Sequence, residues 1–455
     1  MSEWVAQEMQ GVDLGDRRLN RRLIQMVTAF SARPEESVPQ ASGSWAATKG
    51  AYRFWDSEQV DPAAILAPHF QQTSTRAGEH ARVLVIQDST DLDFSSHPST
   101  TGLGPLDNPW AHGLKVHSAL VVSLAGVPLG LIDQAVWARA ADPVVVPRRQ
   151  RATAAKESQR WLTALQASQA RLPPEVGVIS VADREADIFD LFASPRRPHS
   201  DLLIRATHNR RISEEARYVQ TAIQAAPVAG TVTLQVPRRE GLPERQAVLS
   251  VRFASLTWLP PRHHLQRAKL APLPVQVVWA HEDQPPAGSP AVSWLLVTTL
   301  PVTDLTQALQ VVAWYRWRWL IERFHFVLKS GCGLEALQLE TAARLQRALA
   351  TFDWVAWRLL WLTYEARRQP DQPAVPSLSA EEVQLLYRVH FPKAPAPSQP
   401  PTLREAMRWM AQLGGFLARK GDGEPGVKTL WRGLRRLSDL LDGWRAATAA
   451  LSGST

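Results

Sequence analysis

Two almost uninterrupted apolar runs, each closing on an aspartate, constrain this chain more than any other feature. Arg82–Gln87 (RVLVIQ) leads into Asp88, and Val176–Ala182 (VGVISVA) leads into Asp183. Short runs without apolar/polar alternation are expected of strands covered on both faces. Val116–Leu124 and Val127–Trp137 read as a hairpin turning at Ala125-Gly126, and Ala154–Ala170 has helical periodicity that Pro173-Pro174 stops. Asp201–Ala206 is a further strand, running into the basic THNRR. The order strand, hairpin, helix, strand, helix, strand predicts a mixed α/β sheet with helices packed on it. Ends of strands on one edge of such a sheet are where α/β folds gather their chemistry.

The rest of the chain divides around that core. Residues 1–70 read as helical, interrupted at Pro34 and Pro39. There, DLGDRRLNRRLIQM spaces Arg17, Arg18, Arg21 and Arg22 so that they share a helix face, and Asp16 is in place to cap it. Within a catalytic span of residues 71–368, the stretch from about 210 to 300 alternates in TVTLQV and QAVLSVRF and reads as an antiparallel β insertion ending in SWLLVTTLP. Helical character returns from Asp304 to about Arg368. A Pro-rich linker with one internal helix follows, and then a small helical domain to residue 455.

Composition narrows the function classes. The single cysteine, Cys332, excludes a disulfide framework and a Cys-based zinc site. MSEWVAQEMQGVD has none of the features of a secretory signal. The longest apolar stretch contains His117, Asp133 and a Gly-Val-Pro turn, which argues against a membrane span. A reducing cytoplasm is the expected compartment. The net charge is +8, and only eight of the 51 cations are lysine. Arginine's planar fork suits phosphate, although a GC-rich genome produces the same bias.

Acids at neighbouring strand ends repel one another unless a cation neutralises them, and Mg²⁺ is the natural partner of carboxylates that also meet phosphate. A third carboxylate lies in AWYRWRWLIERFHFVLKSG. On an unbroken helix Tyr315, Arg318, Glu322, His325 and Lys329 would fall within about 80° of arc. Trp317, Leu320, Ile321, Phe324 and Leu328 would lie on the opposite, buried side, and Gly331 or Gly333 would close the helix. An exposed face laced with ion pairs such as Arg318–Glu322 is the plain alternative. Other constellations carry less. Asp91 and Asp93 only faintly resemble an aspartyl-phosphate motif; His112, His117, His263 and His264 fit no zinc spacing; TGLG at 101–104 is too short for a phosphate loop.

These motifs together resemble the bacterial DDE transposases of the insertion-sequence-four group. IQDST surrounds Asp88, VADREADI surrounds Asp183, and SWLLVTTLPV carries Trp294. Tyr315, Arg318, Glu322 and Lys329 have the family's spacing, DLGDRRLNRRL and GAYRF resemble its DNA-binding domain, and AQLGGF and LWRGLRRLSDLLDGW its dimerisation domain. The resemblance implies a ribonuclease-H-like core with a mixed five-stranded sheet and a β insertion, between an N-terminal helical DNA-binding domain and a C-terminal helical dimerisation domain. It implies Asp88, Asp183 and Glu322 as a triad binding two Mg²⁺, with Mn²⁺ as a substitute. Tyr315, Arg318 and Lys329 would hold phosphates, with His325 on the same stripe. Trp294 would stack on a flipped base, Arg205 and Arg210 would approach the same DNA, and Arg18, Arg21 and Arg22 would bind transposon ends. Thr207 and Phe189 stand where the family's reference member has Lys and His. The implied activity is cut-and-paste transposition through a DNA hairpin, by a homodimer that holds two transposon ends and target DNA. A non-catalytic repressor and a sequence-indifferent Mg²⁺ nuclease of the same fold are the alternatives.

Overall fold

The computed structural model describes residues 3–140, 151–236, 244–375 and 377–452. Five helices come first: α1 (Glu3–Glu8), α2 (Arg17–Ala32), α3 (Val38–Ser42), α4 (Trp45–Asp56) and α5 (Pro62–Gly78). The sheet and its first helices are next: β1 (Arg82–Asp93), β2 (Gly104–Pro105), β3 (His112–Ser123), β4 (Pro128–Trp137), α6 (Gln159–Arg171), β5 (Gly177–Ala182), α7 (Phe189–Ala193) and β6 (Ser200–Arg205). Then come α8 (Val219–Ala225), β7 (Gly230–Val236), β8 (Arg245–Trp258), β9 (Leu273–His281) and β10 (Ser293–Thr298). The chain finishes with α9 (Leu305–Tyr315), α10 (Trp319–Phe326), α11 (Ala342–Arg368), α12 (Ala380–His390), α13 (Leu403–Leu413) and α14 (Val427–Ser452).

The apolar runs form the sheet centre because both of their faces are covered. Leu84 and Ile86 of β1 enter the core shared with α9–α11, while Val83 and Val85 face a second core closed by Ala77, Leu172 and Val176. β1, β5 and β6 are parallel, and β3 and β4 add antiparallel strands on the far side of β1. This is the mixed α/β, ribonuclease-H-like core that the sequence led us to expect. β1 does not end at Asp88: it continues to Asp93, paired with β3 down to Gly113.

The β insertion is not a separate sheet. β10 pairs antiparallel with β6, and β9, β8 and β7 continue outward, so among the described residues one ten-stranded sheet runs through core and insertion. The hairpin turn at Ala125-Gly126 forms as read. Gly126 has φ +86°, and a Cβ there would fall 2.6 Å from the ring of Trp317, so backbone and packing both require glycine.

The N-terminal helices share the central core. Phe30 stacks on Phe352 of α11 at 5.0 Å, and Trp55 donates from Nε1 to Thr351 Oγ1 at 3.2 Å. Glu8 of α1 is buried in contact with His69 and Arg76 of α5, and His69 Nε2 accepts from the Leu131 amide of β4. At the other end of the chain, Trp431 of α14 packs against Gly331 and donates to Glu35 at 3.0 Å.

Candidate active site

β1 and β5 pair in parallel with Ile86 opposite Val181. Two residues further on, that register sets Asp88 beside Asp183 at the edge where β5 ends. Each carboxylate has one oxygen fixed by nearby backbone: Asp88 Oδ1 accepts from the Ser89 amide at 2.8 Å, and Asp183 Oδ1 from the Glu185 amide at 2.9 Å. Burial and the charge of Asp183 push Asp88 up to about 7, against an opposing pull from Arg318.

The helical segment after β10 brings in the third carboxylate, but not as one helix. α9 stops at Tyr315, a tighter 3₁₀ turn spans Arg316–Arg318, α10 comes after it, and Val327–Gly331 is a π turn. Each break rotates the residues beyond it, so the stripe expected at a constant angle per residue does not survive. Arg318 stands between acids: its guanidinium bonds Glu322 Oε1 at 2.5 Å and lies 3.7 Å from Asp88 Oδ2. Glu322 also contributes to the rise at Asp88. All three acids therefore share one electrostatic neighbourhood. Among the described residues, however, no three acids or histidines are gathered as a ready metal-ion cage. Glu322 is engaged by Arg318 instead.

The donor set suits a hard divalent cation. The candidate donors are carboxylate oxygens, their mutual repulsion favours added positive charge, and Arg318 already supplies some of it. Asp88 and Asp183 would hold such an ion, joined by Glu322 once it is released from Arg318.

Around the acids, Trp294 of β10 is half-buried with its ring 5.3 Å from that of Tyr315, edge to face. The Tyr315 hydroxyl is buried without a hydrogen bond of ordinary geometry. It lies near Arg318, Arg205 and Asp183, and burial raises its pKa against the pull of both arginines. Arg205, at the end of β6, donates to the Ser293 carbonyl at 2.8 Å, and burial lowers its pKa. Trp294, Tyr315, Arg318 and Arg205 thus form one wall of the site.

Three expectations need revision. His325 is buried, not on an exposed stripe: its Nε2 has no partner, and burial brings it down to about 3. It packs inward because the 3₁₀ turn redirects α10. Arg210 is engaged within the protein. It forms two bonds to Asp187 Oδ1, at 2.6 and 2.9 Å, and lies over Trp258. Asp187 is almost fully buried, so its charge needs that partner. Trp317, expected in the core, is half-buried over the β3–β4 turn. Lys329 turns within the π segment to the Asp91 carbonyl, with Glu335 at 3.6 Å.

In the N-terminal region Asp16 caps α2, accepting from the Arg18 amide at 2.7 Å. Arg17, Arg18 and Arg21 are exposed. Arg22 lies against Gly50, where a Cβ would come within 2.5 Å of its guanidinium. The first residue of GAYRF therefore makes room for an arginine of the preceding motif. Sequence reasoning missed Arg160 of α6, which bonds Ser89 Oγ at 2.8 Å and Glu185 Oε2 at 2.7 Å. Nothing in the periodicity of α6 distinguishes it from a solvated arginine.

Comparison with known families agrees with this layout. Residues 1–60 match the transposase DNA-binding family, residues 140–352 the transposase DDE domain, and residues 354–453 the transposase Tn5 dimerisation domain. The DDE match includes Asp183 and Glu322, while Asp88 lies before it. A DDE domain works with divalent metal, the first match makes DNA the partner, and the last makes the protein a homodimer. Among the described residues no helix is long and apolar enough to cross a membrane. With Asp88 and Asp183 side by side where β5 ends and these three domains in order, the chain belongs to the DDE transposases of the Tn5-like architecture.

Proposed function

We propose that this transposase excises and inserts its element by cut-and-paste, with Asp88, Asp183 and Glu322 as the catalytic acids and a DNA hairpin as intermediate. The observation that carries the reading is Asp88 beside Asp183, with Arg318 between Asp88 and Glu322. We assign residues 1–70 to end recognition, 71–368 to catalysis and 369–455 to linker and dimerisation. Two Mg²⁺, held by the three acids, would lower the charge barrier for both attacking and leaving oxygens of an in-line phosphoryl displacement.

The chain's own groups do the rest. Arg318 sets positive charge beside the acids, and with Arg205 and Lys329, once these leave the Ser293 and Asp91 carbonyls, it would hold the phosphates on either side of the scissile bond. A phosphate arriving at Arg318 competes with Glu322 for the guanidinium, freeing Glu322 to join Asp88 and Asp183. Water first attacks the end phosphorus, and the 3′-oxygen leaves as a free 3′-OH. That 3′-OH attacks a phosphorus of the opposite strand and expels the flanking DNA's 3′-oxygen, closing a hairpin. A second water attacks the hairpin phosphorus and expels the element's 3′-oxygen, and the regenerated 3′-OH attacks a target phosphorus and displaces a target 3′-oxygen. Hairpin closure needs a terminal base out of the stack, at a cost of a few kcal/mol. The exposed part of Trp294, braced by Tyr315, offers a stacking surface worth ~1–3 kcal/mol.

The test is incubation with a DNA fragment bearing the element's own ends, with and without Mg²⁺. Nicking at the end that requires Mg²⁺ is expected, with Asp183→Ala abolishing cleavage and sparing end binding. Binding by the wild type without cleavage would sink the assignment, and cleavage indifferent to the end sequence would replace it with a general nuclease.

A further inference from the structure

Asp88 and Asp183 lie on different strands, and the backbone alone does not fix how their carboxylates face each other. Each has one oxygen oriented by a neighbouring amide, that of Ser89 for Asp88 and that of Glu185 for Asp183. The side chains of those same two residues meet on one guanidinium. Arg160 Nε donates to Ser89 Oγ at 2.8 Å, and Nη2 donates to Glu185 Oε2 at 2.7 Å.

Arg160 is itself held. Nη1 donates to the Glu157 carbonyl at 2.9 Å, the guanidinium lies over the rings of Trp137 and Trp161, and its side chain is only 13% exposed. The Ser89 hydroxyl, accepting from Arg160, has its hydrogen free for His117 Nδ1 at 2.9 Å. His117 Nε2 in turn faces Gln87 Oε1 at 3.3 Å, and Trp161 closes on its ring edge-on at 4.6 Å. The chain Arg160, Ser89, His117, Gln87 thus ties α6 to both sides of Asp88, and through Glu185 to Asp183. The second oxygen of each acid remains outside this set of bonds.

We propose that Arg160 is a positioning residue: by clamping Ser89 to Glu185 it sets the separation and aim of the Asp88 and Asp183 carboxylates, and so the affinity of the site for a divalent cation. This rests on the reading of those two acids as metal ligands. Groups that orient ligands without touching the metal typically contribute 10–100-fold in affinity. A lysine at 160 has one nitrogen and cannot hold both partners in their present places.

The experiment is a titration of the full-length protein with Mn²⁺ alone, following free Mn²⁺ by electron paramagnetic resonance. The Mg²⁺ needed for half-maximal nicking of end-bearing DNA is measured in parallel. Arg160→Ala is expected to weaken Mn²⁺ binding at least tenfold and to raise the Mg²⁺ requirement by a similar factor. Excess Mg²⁺ should restore cleavage, and end binding should be unchanged. Arg160→Lys should fall between it and the wild type. Ser89→Ala cuts one arm of the clamp without removing a charge; it should weaken Mn²⁺ binding severalfold, and it decides the matter if Arg160→Ala does not fold. Mn²⁺ affinities within twofold of wild type in folded Arg160→Ala and Ser89→Ala would overturn the proposal. Loss of end binding in Arg160→Ala at unchanged Mn²⁺ affinity would do so too, making Arg160 a phosphate contact. If Asp183→Ala binds Mn²⁺ as the wild type does, the metal-ligand reading itself fails, and the proposal falls with it.

Discussion

Trp294 and Asp353 show how differently one side chain can matter. The Trp294 ring stands half-buried against Tyr315, close to the acids but not bonded to them. Trp294→Ala should therefore leave first-strand nicking nearly intact and slow hairpin closure about 5- to 150-fold, which is the loss of ~1–3 kcal/mol of stacking. Denaturing gels that resolve nicked and hairpin products report both steps, and equal slowing of the two would remove the stacking role. Asp353 lies deep in α11, with Oδ1 accepting from Gln134 at 3.2 Å and Oδ2 unpartnered. Burial raises its pKa to about 8, so the folded protein keeps a proton there that the unfolded chain releases above about 4. Stability should fall as pH rises through that window and level off once the folded group also ionises. Asp353→Asn removes this loss. Its stabilisation should be greater at pH 8 than at pH 5 by on the order of 1–3 kcal/mol, measured by urea denaturation; an equal effect at both pH values would mean that Asp353 is ionised in the fold.

At the scale of elements, α2 and the segment Leu305–Gly331 contrast regular and broken helix. α2 is continuous, capped by Asp16, with Leu23, Met26, Val27 and Phe30 buried and its first-turn arginines outside. A cleft of about 620 Å³ runs along it past Arg17, Asn20 and Arg21. Neutralising Arg18, Arg21 and Arg22 together should weaken end binding and flatten its dependence on salt, by roughly 0.9 in the log–log slope for each phosphate no longer neutralised. Filter binding across a salt series checks this, and an unchanged slope would leave the helix as a solvated face. The second segment changes its winding at both ends of α10. Those changes bury His325, turn Lys329 toward β1 and leave Glu322 on Arg318 near Asp88. Local windings of this kind recur at functional sites, and here they choose which polar residues reach the acids.

Over the whole molecule, the three matched families do not correspond to three separate cores. Phe30 and Trp55 from the N-terminal helices lie in the same apolar cluster as Phe352 of α11, Phe324 of α10 and Ile86 of β1. Trp431 of α14 joins that cluster, while most of α12–α14 forms its own. The N-terminal region should therefore melt with the catalytic core. A fluorescent label on exposed Arg53 of α4 and circular dichroism of the sheet should report one common transition. Trp55→Ala should lower both together, at a cost of about 3–5 kcal/mol. Two separated transitions would show the N-terminal helices to be an independent unit.

Much of this was legible from the chain because burial writes itself into sequence. Strands covered on both faces must be apolar throughout, so the core strands, the hairpin and the positions of Asp88 and Asp183 could be read directly. Helical windings and salt-bridge partners leave no such mark. The pairing of Arg210 with Asp187, the inward turn of His325 and the joining of β10 to β6 each depend on groups far apart in sequence. The sequence by itself determined which acids follow the buried apolar runs, because a strand hidden from water admits few other patterns. Only the tertiary structure decided which cations face those acids and which are consumed elsewhere, because a guanidinium binds the nearest carboxylate in space and its own stretch of chain does not say which one that is.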